Sequence, residues 1–216
     1  MKALLLSWGA GALPGFLDRH TGKAPADIRL GYLNDAMLPF AGEDFAGTER
    51  GRLEQLGYRP RTITAGEIGS ADEFAAILDE LDALYVCGGE TFVLLANLRR
   101  HGLDDVLVRK VRAGEGNSTP LPYIGLSAGA VIAGSSIEPV SLMDDPASAP
   151  DLTYYRGLGF VDTAIVPHAD SKIELFPPEL FVKIDQTYSP RHQLTFLNDD
   201  QAILVEGTQT TVVESL

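Results

Sequence analysis

The chain has few cysteines, few positive charges and no long apolar run. A single cysteine, Cys87, excludes an internal disulfide and suits a reducing cytoplasm. Only 17 basic residues stand against 30 acidic ones, which gives a formal net charge of −13. Nucleic acids and anionic membranes are recognised by positive surfaces, so neither is expected as a partner. No apolar stretch approaches the roughly 18 residues of a membrane span.

Metal-ligand spacings are also missing, because histidines and acidic residues never recur in patterns such as His-Glu-x-x-His. We therefore expect no metal and no cofactor. The apolar run at residues 3–6 follows a lysine, but it is too short for a secretory signal. A buried first strand explains it better, and we expect a cytoplasmic protein.

The remaining composition is that of an ordinary globular protein. The 216 residues are 45% hydrophobic and 22% charged, which is enough to bury a sizeable core. No internal repeat, low-complexity tract or linker divides the sequence. We expect a single domain over residues 1–216, as a monomer or a homodimer.

Short apolar runs alternate along the chain with segments of helical periodicity. Strands are predicted at residues 2–8, 28–33, 58–63, 83–87, 122–125 and 161–167, and helices at 45–56, 70–81, 92–98 and 106–111, with a loop at 113–119. A strand at 136–142, a hairpin of 194–198 with 201–206 turning at Asp199-Asp200, and a strand at 210–214 complete the prediction. This alternation predicts an α/β fold with a mostly parallel sheet and helices on both faces.

One Gly-x-Ser-x-Gly frame, Gly125-Leu126-Ser127-Ala128-Gly129, follows a predicted strand and precedes a run of small apolar residues. That pattern is typical of a strand that turns sharply into a helix with a serine at the apex. The backbone at such a turn is strained, and a Cβ beside it would collide with a neighbouring strand or helix. The alternative is a chance match in a chain with 22 glycines.

A serine is a weak nucleophile until a neighbouring base removes its proton. His168 directly follows an apolar strand that ends in Pro167. Ligands of parallel sheets bind beyond the carboxyl ends of the strands, so we predict His168 at the same sheet edge as Ser127. The alternative is a structural histidine whose hydrogen bonds are satisfied in the core.

The third member of such a site is a buried carboxylate that orients the imidazole. Glu138, Asp144 and Asp145 lie between the serine and the histidine, and Asp199-Asp200 follows the histidine. Glu138 lies in a predicted strand, where a carboxylate is costly unless it is paired. Each aspartate has a local alternative, because aspartates are common in turns for purely local reasons. Sequence reasoning alone leaves all of these candidates open.

An oxyanion hole needs two main-chain N–H groups aimed at one point. The amide of Ala128, directly after the serine, is one candidate. Gly88-Gly89, at the end of another predicted strand, could supply the second, because a missing side chain lets the main chain approach a substrate. A phosphate-binding turn is the alternative, but no dinucleotide or P-loop motif accompanies the glycines.

These motifs resemble those of the peptidase E (aspartyl dipeptidase) family of serine peptidases, which is related to cyanophycinase. The family's Gly-x-Ser-Ala-Gly-Ala elbow is matched by residues 125–130, and its Gly-Gly-Gly-Asn-Thr-Phe turn by Cys87-Gly88-Gly89-Glu90-Thr91-Phe92. A Pro-His pair after a strand is matched by Pro167-His168. The resemblance implies a fold like that of class I glutamine amidotransferases, a flavodoxin-like three-layer sandwich.

The resemblance also implies roles for individual residues. Ser127 would be the nucleophile, His168 the general base and then acid, and Gly89 with Ala128 the oxyanion hole. The family's acid has two assigned positions. One is an aspartate between the serine and the histidine, which would fall near Asp144 or Asp145 here. The other is a glutamate just before a strand that ends Val-Glu-Gly; Val205-Glu206-Gly207 matches that strand end and aligns Asp199 with the glutamate. We favour Asp199 and keep Asp145 as the second choice.

Two departures from the family pattern concern the substrate. Cys87 and Glu90 replace a glycine and an asparagine, and a carboxylate at Glu90 would alter the polarity of the crevice. No arginine follows His168 at the distance expected for recognition of an N-terminal aspartate. We therefore predict a peptidase of dipeptides or short peptides, with a cyanophycinase-like isopeptidase or amidase, or a non-catalytic ligand-binding protein, as alternatives.

Overall fold

A computed structural model describes residues 1–112, 119–170, 172 and 175–216. The strands are β1 (Lys2–Leu6), β2 (Leu30–Leu33), β3 (Arg61–Ile63), β4 (Ala83–Val86), β5 (Tyr123–Leu126), β6 (Ala164–Val166), β7 (Leu194–Phe196), β8 (Gln201–Glu206) and β9 (Gln209–Glu214). The α-helices are α1 (Leu13–Thr21), α2 (Thr48–Gln55), α3 (Ala71–Asp79), α4 (Thr91–Arg99), α5 (Leu103–Arg112), α6 (Ala128–Ala133) and α7 (Pro178–Tyr188). Of the loop predicted at 113–119, residues 113–118 lie outside the described part of the chain. No helix in that part is long and apolar enough to cross a membrane.

The central sheet has the strand order β3-β2-β4-β5-β1-β8-β9. The first five of these strands are parallel, whereas β8 runs antiparallel to β1 and β9 antiparallel to β8. The prediction of an α/β fold with a mostly parallel sheet is therefore confirmed. The carboxyl ends of β4, β5 and β1 lie side by side near the middle of the sheet, which is where such sheets bind ligands.

Helices and loops cover both faces of this sheet. Every residue of β2, β4 and β5 is buried. Successive side chains of a strand point to opposite faces, so uninterrupted burial means that both faces are covered. The helix predicted from residue 70 is α3. The Ser70 hydroxyl caps it and accepts a hydrogen bond from the Glu73 N–H at 3.1 Å, which is typical of a serine three residues before a glutamate at a helix start.

Strands β6 and β7 form a separate, two-stranded parallel sheet. The predicted hairpin of 194–198 with 201–206 is therefore wrong, since β7 pairs with β6 and the observed hairpin joins β8 to β9. The last strand, predicted at 210–214, is present as β9. Helix α7 packs on the small sheet and places Phe181, Ile184 and Tyr188 against Val166.

The strand predicted at 136–142 is also wrong. Residues Glu138–Leu142 form a 3-10 helix, with Pro139 in its first turn. Proline has no N–H to donate to a strand ladder, and its fixed φ suits the start of a helix. This segment leads into the acidic residues 144 and 145, which were candidates for the site.

Candidate active site

Ser127 lies at the sharp turn between β5 and α6, where φ is 47° and ψ is −107°. A left-handed conformation is costly for a residue with a side chain, so the surrounding structure must hold it in place. A Cβ at Gly125 would lie 2.3 Å from the Gly129 carbonyl oxygen, and a Cβ at Gly129 would lie 2.3 Å from the Val86 carbonyl oxygen. Both glycines of the frame are therefore required by close main-chain contacts.

His168 follows β6 and lies directly against this serine. Its Nε2 is 2.9 Å from Ser127 Oγ, and the side chain is almost completely buried. The residue has φ 63°, and its main-chain N–H donates to the Ser7 hydroxyl at 2.8 Å. Phe176 stacks on the imidazole with the ring centroids 5.4 Å apart, and Trp8 contacts the imidazole in an edge-on geometry. These contacts fix the ring between the serine and a carboxylate.

That carboxylate is Asp199, whose Oδ1 is 2.7 Å from His168 Nδ1. Asp199 is buried in the short connection from β7 of the small sheet to β8 of the central sheet. Its carbonyl oxygen accepts the Gly9 N–H at 2.7 Å, which ties this connection to the loop after β1. An ionised carboxylate can only accept, so His168 donates from Nδ1 and presents Nε2 as an acceptor to the Ser127 hydroxyl.

The other candidate acids make different contacts. Asp145 accepts the Ala147 N–H at 3.0 Å and caps a short 3-10 helix, which is a local turn role. Asp144 accepts the Thr91 N–H at 3.1 Å at the start of α4. Glu138 accepts from His192 Nε2 at 2.8 Å. Within the described residues, none of the three hydrogen-bonds His168.

Gly88 and Gly89 form the turn after β4, which lies between the Glu49 side chain and the main chain of Ala36. The Gly88 N–H donates to both carboxylate oxygens of Glu49, at 3.1 and 3.3 Å. Gly89 has φ 124°, and a Cβ there would lie 2.2 Å from the Ala36 carbonyl oxygen, so only glycine fits. The N–H groups of Gly89 and Ala128 have no acceptor in the described part of the chain, which leaves both available to an oxyanion.

Glu90 does not face the crevice, contrary to the expectation that it would alter the polarity there. It is buried, and its Oε2 accepts the Val93 N–H at 2.7 Å as the cap of α4. Burial raises the pKa of this carboxyl above its ordinary value, and the Val93 N–H opposes the rise. Glu90 therefore acts as a helix cap and is not among the residues that line the cavity beside Ser127.

The crevice beside Ser127 is a cavity of about 410 Å³ with mostly apolar walls. The side chains that make these walls include Met37, Phe40, Phe45, Val140, Met143 and Phe176. Its charged lining residues include Glu49 and Arg52, both on α2. Burial raises the pKa of the Glu49 carboxyl to about 7, while the Gly88 N–H, the Tyr85 hydroxyl and Arg52 favour its ionised form.

Two residues of the site were missed from the sequence. Ser7 directly follows β1, so the same rule that placed Ser127 at a strand end could have found it. Glu49 carries no such signal, because its neighbours Thr48 and Arg50 are those of an ordinary solvent-facing helix. No group of three or more histidine, cysteine or acidic side chains that could hold a metal ion occurs among the described residues.

Comparison with known proteins matches this chain to peptidases. The model of peptidase family S51 matches residues 29–213, a range that contains Ser127, His168 and Asp199. The peptidase Lin0382 of Listeria innocua, described as uncharacterized, is 36% identical over 141 residues, which cover 65% of this chain and 63% of that protein. Peptidase E of Streptomyces coelicolor is 38% identical over 175 residues, covering 78% of this chain and 64% of that protein. The chain spans less than two thirds of the length of either relative.

A solved structure has the same fold over nearly the whole chain. A crystal structure of a candidate peptidase E protein from Listeria monocytogenes superposes with a TM-score of 0.81 at 27% identity. The match covers 99% of this chain and 98% of that one. The described elements therefore form a fold already seen in a protein of this kind.

Proposed function

The chain belongs to peptidase family S51, and we propose that it is a serine peptidase that hydrolyses dipeptides or short peptides. The observation that carries the proposal is the continuous series of contacts from Ser127 Oγ to His168 Nε2, and from His168 Nδ1 to Asp199, at 2.9 and 2.7 Å. A hydroxyl, an imidazole and a buried carboxylate in this order are the components of a nucleophilic triad.

In the acylation step, Ser127 Oγ attacks the carbonyl carbon of the scissile bond while His168 Nε2 takes the hydroxyl proton. The resulting oxyanion accepts hydrogen bonds from the N–H groups of Gly89 and Ala128. His168 then gives its proton to the leaving amine, the C–N bond breaks, and an ester with Ser127 remains. Water then attacks the ester carbonyl carbon while His168 Nε2 takes a proton from it. That proton passes to Ser127 Oγ as the bond between Ser127 and the acyl group breaks and the acid is released.

Asp199 holds the imidazole in the tautomer that this step needs and stabilises its positive charge after proton transfer. Two features help it do so. Its burial excludes water that would compete for the Nδ1 proton, and its main chain is bound to the loop after β1 through Gly9. We expect a cytoplasmic enzyme that acts on small peptides, as a monomer or a homodimer.

Labelling with a fluorophosphonate tests the nucleophile without knowledge of the substrate. The wild-type protein should be labelled at Ser127, and Ser127→Ala should abolish labelling. Ser189→Ala, an exposed serine at the end of α7, is the matched control and should label like the wild type. Labelling that persists in Ser127→Ala would overturn the assignment. A wild type that is neither labelled nor active on any peptide would instead indicate a non-catalytic binding protein.

A further inference from the structure

Glu49 is an acidic residue beside the nucleophile that the triad does not use. It lies in the first turn of α2, and its carboxyl group points toward the turn after β4, where both oxygens accept the Gly88 N–H. A Cβ built on Gly88 would be 3.4 Å from Glu49 Oε2 and 3.3 Å from Ser127 Cβ. The Glu49 carboxylate and the Ser127 side chain therefore lie on either side of Gly88, where the missing side chain leaves only a narrow gap between them.

Arg52 favours the ionised form of Glu49 through its charge, but the two side chains form no direct ion pair. Arg52 lies one turn along the same helix, but its guanidinium donates to the Trp8 carbonyl oxygen at 3.1 Å and lies 5.3 Å from the centre of the Trp8 ring. Within the described residues, no cationic side chain lies within 4.0 Å of the Glu49 carboxylate. A carboxylate against apolar walls is costly unless it is paired, and a bound cation would supply that pair.

The walls of the same cavity determine what kind of side chain can enter with that cation. Met37, Phe40, Val140, Met143 and Phe176 present apolar surface around the serine. Arg52 also lines this cavity, but its guanidinium is held against Trp8. An acidic side chain placed against the apolar surface would therefore lose its hydration and would lie near the Glu49 carboxylate. An apolar side chain would bury its surface at no such cost.

We propose that Glu49 binds the free α-ammonium group of the substrate, so that this enzyme acts on short peptides whose first residue is apolar. In such a residue the ammonium nitrogen is two bonds from the carbonyl carbon that Ser127 attacks. A carboxylate that flanks the serine across Gly88 is within reach of that nitrogen. Its oxygens together offer about four lone pairs, and the Gly88 N–H and the Tyr85 hydroxyl leave some of them unused.

This inference rests on the proposed serine-peptidase function and adds the substrate class. The competing role for Glu49 is purely structural, in which the carboxylate only holds Gly88 in position. Glu49→Gln separates the two roles, because a side-chain amide oxygen can still accept the Gly88 N–H but carries no charge. Glu54→Gln, an exposed glutamate on the same helix, is the matched control.

The test compares kcat/KM for leucine p-nitroanilide, its N-acetylated form and aspartate p-nitroanilide. We expect the wild type to prefer free leucine over both others. Glu49→Gln should lose at least about 30-fold on the free amine, the loss expected for one partner of a buried charge pair, and change less than about threefold on the acetylated form. Glu49→Asp, which keeps the charge, should retain part of the preference, and Glu54→Gln all of it.

Equal losses on the free and acetylated substrates in Glu49→Gln would show a structural role and overturn the inference. A wild type that prefers the acetylated or the aspartyl substrate would overturn it as well. Fluorophosphonate labelling of Ser127 keeps the two proposals distinguishable. If the wild type is labelled but hydrolyses the free and the acetylated substrates equally well, only the role of Glu49 is refuted. If the wild type is not labelled, the peptidase mechanism is refuted together with that role.

Discussion

The contact between Asp199 and His168 allows a quantitative prediction for Asp199→Asn. Asparagine has nearly the same shape, and the main-chain bond from Gly9 to the carbonyl of residue 199 is unaffected. Its amide, however, can donate a hydrogen bond to Nδ1, which a carboxylate cannot. The imidazole would then carry its proton on Nε2, facing Ser127, and could no longer accept the hydroxyl proton.

The size of the effect follows from that change of tautomer. Loss of the correct tautomer in a triad lowers kcat about 10⁴-fold, which corresponds to about 5 kcal/mol of transition-state stabilisation. Asp145→Asn should stay within about twofold of the wild type, because the Asp145 side chain bonds only to the local Ala147 N–H. The two variants thus differ by several orders of magnitude although both exchange one acid for its amide.

The assay is the second-order rate of fluorophosphonate labelling at neutral pH, with urea unfolding as a check that each variant is folded. Labelling depends on the nucleophile and its base, so it reports on the triad independently of substrate recognition. A labelling rate for Asp199→Asn within tenfold of the wild type would refute the assignment. An equal fall in Asp145→Asn would transfer the role of the acid to Asp145, the second candidate.

Two further predictions concern stability. Gly129→Ala should lower the free energy of unfolding by about 3 kcal/mol, since its Cβ would meet the Val86 carbonyl oxygen. Gly15→Ala, in helix α1 with open space around it, should raise the free energy of unfolding by about 1 kcal/mol. Urea unfolding that gave both changes the same sign would contradict these contacts. Burial raises the pKa of the Glu49 carboxyl from 4.5 to about 7, so the folded protein keeps a proton that the unfolded chain has released in this range. The free energy of unfolding of the wild type should therefore fall by up to about 3 kcal/mol relative to that of Glu49→Gln as the pH rises from 4.5 to 7, with no further change above about pH 8. If urea unfolding gave a difference between the two proteins that did not depend on pH, the raised pKa of Glu49 would be ruled out.

The local parts of the site could be predicted from the sequence because they depend on local geometry. The Gly-x-Ser-x-Gly frame around Ser127 predicts a sharp turn that only small neighbouring residues allow, and in the structure Ser127 has a positive φ at that turn. The order of strands and helices likewise predicted the mostly parallel sheet. The first inference uses a pattern of five residues, and the second uses the local periodicity of each segment and the order of the segments along the chain.

Pairings between distant segments could not be predicted in this way. The runs before and after Asp199 look like the two arms of a hairpin, since apolar strands flank a polar turn. In the structure these arms belong to different sheets, and nothing in either run encodes which neighbour it joins. His168 still lies beside Ser127, but from the small sheet, where its N–H reaches Ser7 after β1. Glu49 was missed because its burial depends on the turn after β4.

The position of β1 in the central sheet has a consequence for folding during synthesis. This first strand lies between β5 and β8, so it can only pair once residues 123–126 and 201–206 have been synthesised. Contacts of such large sequence separation form slowly, and a nascent chain exposes the unpaired edges of β1 for most of translation. His168 and Asp199 also emerge late, and both depend on the loop after β1 for their position. A growing chain would therefore carry Ser127 well before it acquires the histidine and the carboxylate that complete the series of contacts around that serine.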